Sequence, residues 1–564
     1  MLVAVKHYWG SDEMDKKTIV KRFNALKVEQ QLYVPLWKKL SANICPARGW
    51  FDERSPTNIK KIDYKVLLDN TSYDCSRVLA SGMLSGMSSP SRKWFRITTA
   101  DPDIMTYHPA KEWLDTGEKI VTEILAKSNI YRFLESIYHE LGVFSVGCGL
   151  IEEDIRDVVR GYGFTAGEYY LGIGYDGRIN SFGRSFWMTV LQMVKQFGIE
   201  NVSVSVRNMY DCNNVDNYIK VCHLIEPNDD RIEGKLDVKN KAFRSIYWEY
   251  GTDDEQFLRV SGYEQFPIVA PRWGVRTTFD IYDMSSPGFM ALGDAMMLQD
   301  MEGKSLEALE KVIDPPLQVP ESVKDSPVNT LPGHISTKPN DNQKIEALYQ
   351  IAPDIAGMES IKEVVRKRIS TAFYKDLFLM LTYADNGQMT ATEITARNAE
   401  KVIALGPVLE SVQSDLLSPL IERTFYIALK AGMIHQPPEE IQGMDLKIEY
   451  TSMLAQSQKM VNTTAVEQLF GFVGNLSAVF PSSVDVVDAD TAVKEYGDML
   501  GVSPKILRSE DAIQQIRKQR AQQQAVQQQM EAIQNGAQAA QVLSKTDMGG
   551  NNALNALLGN GQGG

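Results

Sequence analysis

The sequence predicts a mainly helical α+β protein of several domains, and three of its features do so. Between Ser286 and Asp385, two amphipathic helical segments flank an insert with no helical pattern of its own. In the first segment Phe289, Leu292, Met296, Met297, Leu298, Met301, Leu306, Leu309 and Val312 recur at steps of three and four, the spacing that gathers side chains on one helical stripe. From Gly142 to about Pro271 the rhythm shortens to two, as in strands with one buried face. The length of 564 residues exceeds the size at which a single hydrophobic core stops growing.

Helices come first along the chain. Lys16 to about Leu40 reads as one helix carrying Ile19, Phe23, Leu26, Tyr33 and Trp37 on one side, with Pro35 as a kink. A second helix, Asn70 to Met87, ends in LASGMLSGMSSPSRKWFRI, where Gly82 and Gly86 permit close approach of another backbone. Pro109 to Leu141 reads as a third. Alternation then begins at Phe144, Val146, Cys148 and Leu150, followed by strand-like pieces at 168–173, 180–187, 202–206, 218–225, 245–250 and 257–263. Thr189 to Phe197 is a short helix among them, and GYGFTAGEYYLGIG reads as turns around strands.

The two long segments would make rods of about 40 Å, a stalk with a small module at its tip. Prolines at 315, 316, 320, 327, 332, 339 and 353 leave that module only turns and extended pieces. After the stalk, Asp385-Asn386-Gly387 is a turn signal and Thr390 with Glu393 has capping-box spacing, so a helix runs on to about Lys430, kinked at Pro407 and Pro419 and stopped by Gly432. Leu446 to Tyr450 is a strand. Helices near 455–476, 490–500 and 509–533 follow, the last glutamine-rich and readable as a weak bundle element or as a polar tail; the Gly- and Asn-rich end reads as mobile.

Composition and motifs exclude more than they include. A formal charge of −13 argues against tight wrapping of phosphates, which needs concentrated Lys and Arg. Five scattered cysteines without a CxxC read as reduced thiols in a cytoplasmic setting. Cys212 with Cys222-His223 lacks a second close pair, so no metal site is expected. The N-terminus lacks a secretory pattern and the longest uncharged run falls short of the ~18 apolar residues of a membrane span, so a soluble protein made in the cytoplasm is expected. Glu302-Gly303-Lys304-Ser305 ends like a phosphate-binding loop, but Leu298 stands where that loop needs glycine, and the tetrad lies in a helical pattern. Acidic groups such as Glu152-Glu153-Asp154 and Asp229-Asp230 read as solvated strand ends. No catalytic, cofactor or metal residues are assigned.

Taken together and in order, several stretches resemble the portal proteins, the head-to-tail connectors of short-tailed bacteriophages. They are LASGMLSGMSSPSRKWFRI, FGRSFWMTVLQMVKQFG at Phe182, PRWGVR with SSPGFMALGDAMMLQ, MTATEITARNAEK, LKIEYTSMLAQSQK and VDADTAVKEYGDMLGVSPKILRSEDAIQQIR, spread over about residues 20 to 535. Arg184-Ser185 departs from a basic-acidic pair expected there. The resemblance implies a ring of typically about twelve copies at one capsid vertex, with a channel that double-stranded DNA passes loosely. It also implies contacts with the terminase motor, tail adaptors, and major capsid and scaffolding proteins, and a place in the virion.

In that family's terms, 1–285 is the wing, 286–314 and 357–384 the two stem helices, and 315–356 the clip. The tunnel loop is 385–390, 391–452 the kinked helix and return strand, 453–545 the crown and 546–564 a flexible tail. Asp385, Asn386, Gly387, Gln388 and Met389 fall at the channel-facing tunnel loop. Arg366, Lys367 and Arg368 are read as channel or seam cations, against the alternative of an ordinary solvated helix face. A ring-forming head-tail adaptor and a nucleotide-driven packaging enzyme are the competing readings; the missing phosphate-binding loop disfavours the second.

Overall fold

A computed structural model describes residues 16–51, 66–99, 108–232, 237–252, 256–313, 354–385, 405–439 and 446–452, with shorter pieces elsewhere. The chain divides into two compact units, Met1–Val461 and Asn462–Gly564. The fold is α+β and mainly helical.

In the first unit the opening helical stretch is two helices, α1 (Lys16–Gln31) and α2 (Val34–Asn43). Pro35 does not kink a continuous rod; it sits in the first turn of α2, where its missing N–H costs nothing. Helix α3 spans Thr71–Met87, and strand β1 (Phe95–Thr99), which the sequence reading passed over, follows. The predicted helix from Pro109 to Leu141 is likewise two, α4 (His108–Lys127) and α5 (Ile130–Phe144), broken at Ser128-Asn129. Asn129 is turned away from the helix: its amide donates to the Gly161 carbonyl and its carbonyl accepts from the Gly161 N–H, a side chain competing with the helical ladder.

Alternation predicted a strand from Phe144, yet α5 runs to Phe144, Ser145 turns left-handed at φ 69°, and β2 begins only at Cys148 (Cys148–Asp154). Every residue from Ile137 to Ile151 is buried, so the period-two pattern did not mark a wet face. Gly149 lies under the ring of Phe133, which occupies the space of a side chain there. Strand β3 (Val158–Phe164) pairs antiparallel with β2, and β9 (Ile268–Val269) adds a third strand on the other side.

The second sheet is a five-stranded antiparallel meander, β4 (Tyr169–Ile173), β5 (Ile179–Thr189), β6 (Tyr218–Pro227), β7 (Phe243–Glu249) and β8 (Arg259–Tyr263). One face buries Ile19 and Phe23 of α1 against Tyr170, Cys222, Leu224, Ile246 and Trp248. The other is covered by α6 (Val190–Phe197) and α7 (Val204–Asp211). Thr189 and Gln192 close a reciprocal capping box on α6. Residues 202–206 were expected as a strand, but Ser203 caps a helix there: Val202 and Val206, four apart, are buried while Val204 is exposed. Five alternating residues fit both periods, and the cap decides.

The main core collects α2 to α5, β1, the three-stranded sheet and the stalk. The stalk consists of α8 (Pro287–Ile313), α9 (Ile355–Ala372) and α10 (Lys375–Asp385). Between α8 and α9 the described residues are the short antiparallel pair β10 (Leu317–Gln318) and β11 (Glu346–Ala347) and the start of α9; the rest of 315–356 lies outside the described residues. The capping box at Thr390 and Glu393 also lies outside them. Pro407 stands in the first turn of α11 (Gly406–Val412). Before Pro419 the ladder widens to a single π turn, Gln413–Leu417, in which Ser418 N–H reaches the Gln413 carbonyl, and α12 (Ser418–Lys430) continues. Such a turn accommodates the proline, which offers no N–H and crowds the carbonyl four residues back.

Helix α12 ends as predicted at Gly432, left-handed at φ 72°, with its N–H on the Leu429 carbonyl and Met433 N–H on that of Ala428. Strand β12 (Leu446–Tyr450) returns to pair with β1 in register Phe95↔Tyr450. In the second unit, residues 469–476 and 515–527 are helical, and β13 (Asp547–Met548) pairs with β14 (Asn551–Asn552); most of the expected crown and tail lies outside the described residues.

Candidate functional site

The sequence reading placed functional side chains on the stalk and on the loop that follows it, and the geometry of the stalk begins with helix direction. Lys362 Nζ meets Glu302 at 3.0 Å and Arg368 Nη2 meets Asp294 at 3.0 Å, so α9 runs back antiparallel along α8. Val365 and Ile369 of α9 and Leu298 of α8 are buried. Glu302-Gly303-Lys304-Ser305 is plain helix: Lys304 pairs with Asp300 one turn back at 2.7 Å, and Ser305 Oγ donates to the Met301 carbonyl.

Arg366 does not stand free. Its Nε reaches Asp69 at 2.9 Å, Nη2 reaches Glu302 at 2.8 Å, and Nη1 reaches Glu359 at 2.6 Å and Glu363 at 3.4 Å. Lys362 adds contacts to Glu302 and Glu359. Gln299 completes the assembly, accepting from Leu68 N–H at 2.8 Å and donating to the Asp69 carbonyl at 2.7 Å. The segment before α3 is thereby tied to both stalk helices. The hydrogen bond that Arg366 donates to Glu359, then that to Asp69, raise its pKa, so this cation never titrates in use. Burial would raise Asp69, but Thr71 and Arg366 outweigh it and the net shift is downward.

Of the other two proposed cations, Arg368 pairs with Asp294 while remaining half exposed, and Lys367 is exposed with no ion pair among the described residues. The three consecutive cations therefore point different ways, as 100° per residue requires. Sequence reasoning missed Asp69, Gln299 and Glu302. The spacing of Glu359, Lys362, Glu363 and Arg366 was a legible signal for a charged helix face, but Asp69 lies 297 residues from Arg366 and nothing local announces it.

The second stalk helix, expected as one rod over 357–384, is broken at Phe373-Tyr374, where Tyr374 is left-handed at φ 51°. Beyond the break α10 packs along α3, and Phe378 lies directly on Gly82, so the small-residue run does admit a close neighbour. Cys75 Sγ meets Ser370 Oγ at 3.6 Å just before the break. Asp385 is the last residue of α10; Asn386, Gly387, Gln388 and Met389 lie outside the described residues.

Other polar groups singled out in the sequence make these contacts. His223 is fully buried, stacked on Tyr247 at 3.8 Å and bonded to Ser245 Oγ at 2.9 Å; burial, then Arg184 and Arg259, hold it neutral. Cys222 is buried beside it, whereas Cys212 is exposed. Arg184 stacks over Phe164 and Phe186 at 4.9 and 4.1 Å. Glu152 accepts from Tyr263 Oη at 3.0 Å and Glu153 pairs with Lys430 at 3.3 Å. Among the described residues no group of three His, Cys, Asp or Glu is placed to hold a metal ion, and no helix is long and apolar enough to cross a membrane.

Comparison with known proteins identifies relatives over nearly the whole chain. The chain is 38% identical over 548 residues to the "Probable portal protein" of Bordetella phage BPP-1, covering 96% of this chain and 98% of that one. It is 37% identical over 547 residues to the "Portal protein" of Salmonella phage epsilon15, covering 97% and 98%. A solved chain from the neck of an empty gene transfer agent particle aligns at 11% identity with a TM-score of 0.36 over 81% of this chain and 96% of that one, too distant to bear on fold or function. The family model for the bacteriophage head to tail connecting protein matches residues 16–507, and with near-complete relatives well above 30% identity the chain belongs to that family.

Proposed function

We propose that this chain is the portal subunit of a bacteriophage virion. About twelve copies close into a ring at one capsid vertex, a heterologous assembly in which each subunit meets two neighbours. Double-stranded DNA passes through the channel loosely during packaging and ejection, and the ring docks the terminase motor, then tail adaptors, within a shell of capsid and scaffolding proteins. The subunit is made in the host cytoplasm and acts without catalysis. Similarity over nearly the whole chain, at 37–38% identity, to two proteins named as portals carries this reading.

The domain assignments follow from it. Residues 1–285 form the wing, α8 and the α9–α10 pair the stem, 315–356 the clip, 385–390 the tunnel loop, 391–452 the kinked helix and return strand, and 453–545 the crown. A net acidic subunit suits a channel that must not grip phosphates, because attraction to the backbone would retard sliding. Of the three stalk cations, Lys367 and Arg368 keep charge to offer to DNA or a neighbour; Arg366 spends its own within the chain. Negative-stain microscopy of the purified protein tests the proposal: channel-bearing rings near twelvefold symmetry are expected. Monodisperse monomers at high concentration, or nucleotide hydrolysis by the pure protein, would overturn it.

A further inference from the structure

We propose that Pro271–Trp273 is a mechanical tie between the start of the stalk and the π turn that separates α11 from α12, so that displacing either end loosens the other. Both ends are irregular backbone. Ser145, between α5 and β2, is left-handed at φ 69°, a conformation that a residue with a Cβ keeps only where its surroundings fix it. The π turn, Gln413–Leu417, is a widened stretch of helix of a kind found mostly as single turns at working sites. Each is held from outside by the same three residues.

At the stalk end, Trp273 N–H donates to the Ser145 carbonyl at 2.8 Å, Gly147 N–H donates to the Pro271 carbonyl at 3.1 Å, and Arg272 forms a β-bridge with Val146. Ser286, the residue before α8, donates its N–H to Ser145 Oγ and its hydroxyl to the Val143 carbonyl, both at 3.2 Å. A Cβ on Gly288, in the first turn of α8, would overlap the Val143 backbone, so the stalk starts hard against this corner. At the other end, Ser411 Oγ donates to the Arg272 carbonyl at 2.7 Å, and the Arg272 guanidinium reaches Asp415, in the middle of the π turn, at 3.4 Å. Arg272 is buried, so water does not replace a lost partner there. Tyr450 Oη donates to the Gln413 carbonyl at 3.2 Å and anchors the first residue of the turn to β12. A pull through Asp415 therefore bends the turn instead of carrying it along. What the tie serves rests on the portal reading above: a shift of the stalk would reach the helix that follows the tunnel loop.

The test is amide hydrogen exchange on the full chain, with variants that each cut one end. Ser145→Ala removes the acceptor of Ser286 N–H and leaves every contact of the π turn in place; the Ser418 amide, which closes that turn, is expected to exchange about tenfold faster or more. Asp415→Asn keeps the size of the side chain and removes its charge. The remote Ser286 and Gly147 amides are then expected to exchange faster too, because coupling between two sites is reciprocal. Lys430→Ala loses only an exposed pair with Glu153 at the end of α12 and should leave all three amides unchanged. Effects confined to the segment that carries each substitution would overturn the tie, as would equal acceleration by Lys430→Ala, which would mean general loosening. Confined effects in a protein that still forms rings would leave the portal reading standing; remote effects in a protein that forms none would keep the tie and sink that reading.

Discussion

Arg366 lies within hydrogen-bonding reach of carboxylates from three parts of the chain, Asp69, Glu302 and Glu359, the first of them nearly buried. Removing the guanidinium leaves Asp69 without its ion partner in a poorly solvated place. Arg366→Ala should therefore destabilise the chain by about 1–3 kcal/mol in urea unfolding, while Lys367→Ala stays within about 0.5 kcal/mol. His139 makes a second residue-scale prediction. Ser76 Oγ donates to the Tyr73 carbonyl at 2.7 Å, so the 2.8 Å contact between Ser76 Oγ and His139 Nε2 has the imidazole as donor. Burial, then Arg48 and Arg77, lower the His139 pKa to about 3. The unfolded state then binds the extra proton between about pH 6.5 and 3, so stability is lost as pH falls through that window. His139→Gln should flatten this part of a stability-versus-pH curve; an unchanged slope would show that the imidazole is not held neutral.

Helix boundaries and contacts are decided one scale up. A Cβ on Gly82 would overlap Phe378, and α3 cannot give way without parting from α10. Gly82→Ala is expected to cost about 1–3 kcal/mol by overpacking. Gly432→Ala should cost about 1 kcal/mol for a different reason, because its surroundings are open and only its left-handed backbone resists a side chain. A double variant with Phe378→Ala, measured by chemical denaturation, separates the two: it should recover part of the Gly82 loss and none of the Gly432 loss. Local chemistry made Gly432 legible in the sequence as a helix stop, since it acts through backbone it touches directly; the Thr189–Gln192 cap emerged only in the structure. The breaks at Ser128-Asn129 and Phe373-Tyr374 were not, because Asn129 is held by Gly161 and nothing in the run around Tyr374 resembles a helix breaker.

Across the whole molecule the five cysteines report how closed the fold is. Cys45, Cys75, Cys148 and Cys222 are buried and Cys212 is exposed. Burial pushes the Cys45 and Cys222 thiols up to about 12, suppressing the reactive thiolate. One thiol per chain should react promptly with a disulfide reagent, and the other four only at the rate of unfolding; prompt reaction of two or more would mean that the cores open locally.

At this scale periodicity and composition by themselves determined the helical character, the β-containing middle, the helix pair around a proline-rich insert, and the absence of a phosphate-binding loop. These are short-range properties, written in residues a few positions apart. Only the tertiary structure decided that Phe95–Thr99 pairs with Leu446–Tyr450, that Gly149 lies under Phe133, and that Arg366 belongs to Asp69. Those contacts join residues from tens to hundreds of positions apart, and a charge or a glycine carries no mark of the distant group that will meet it.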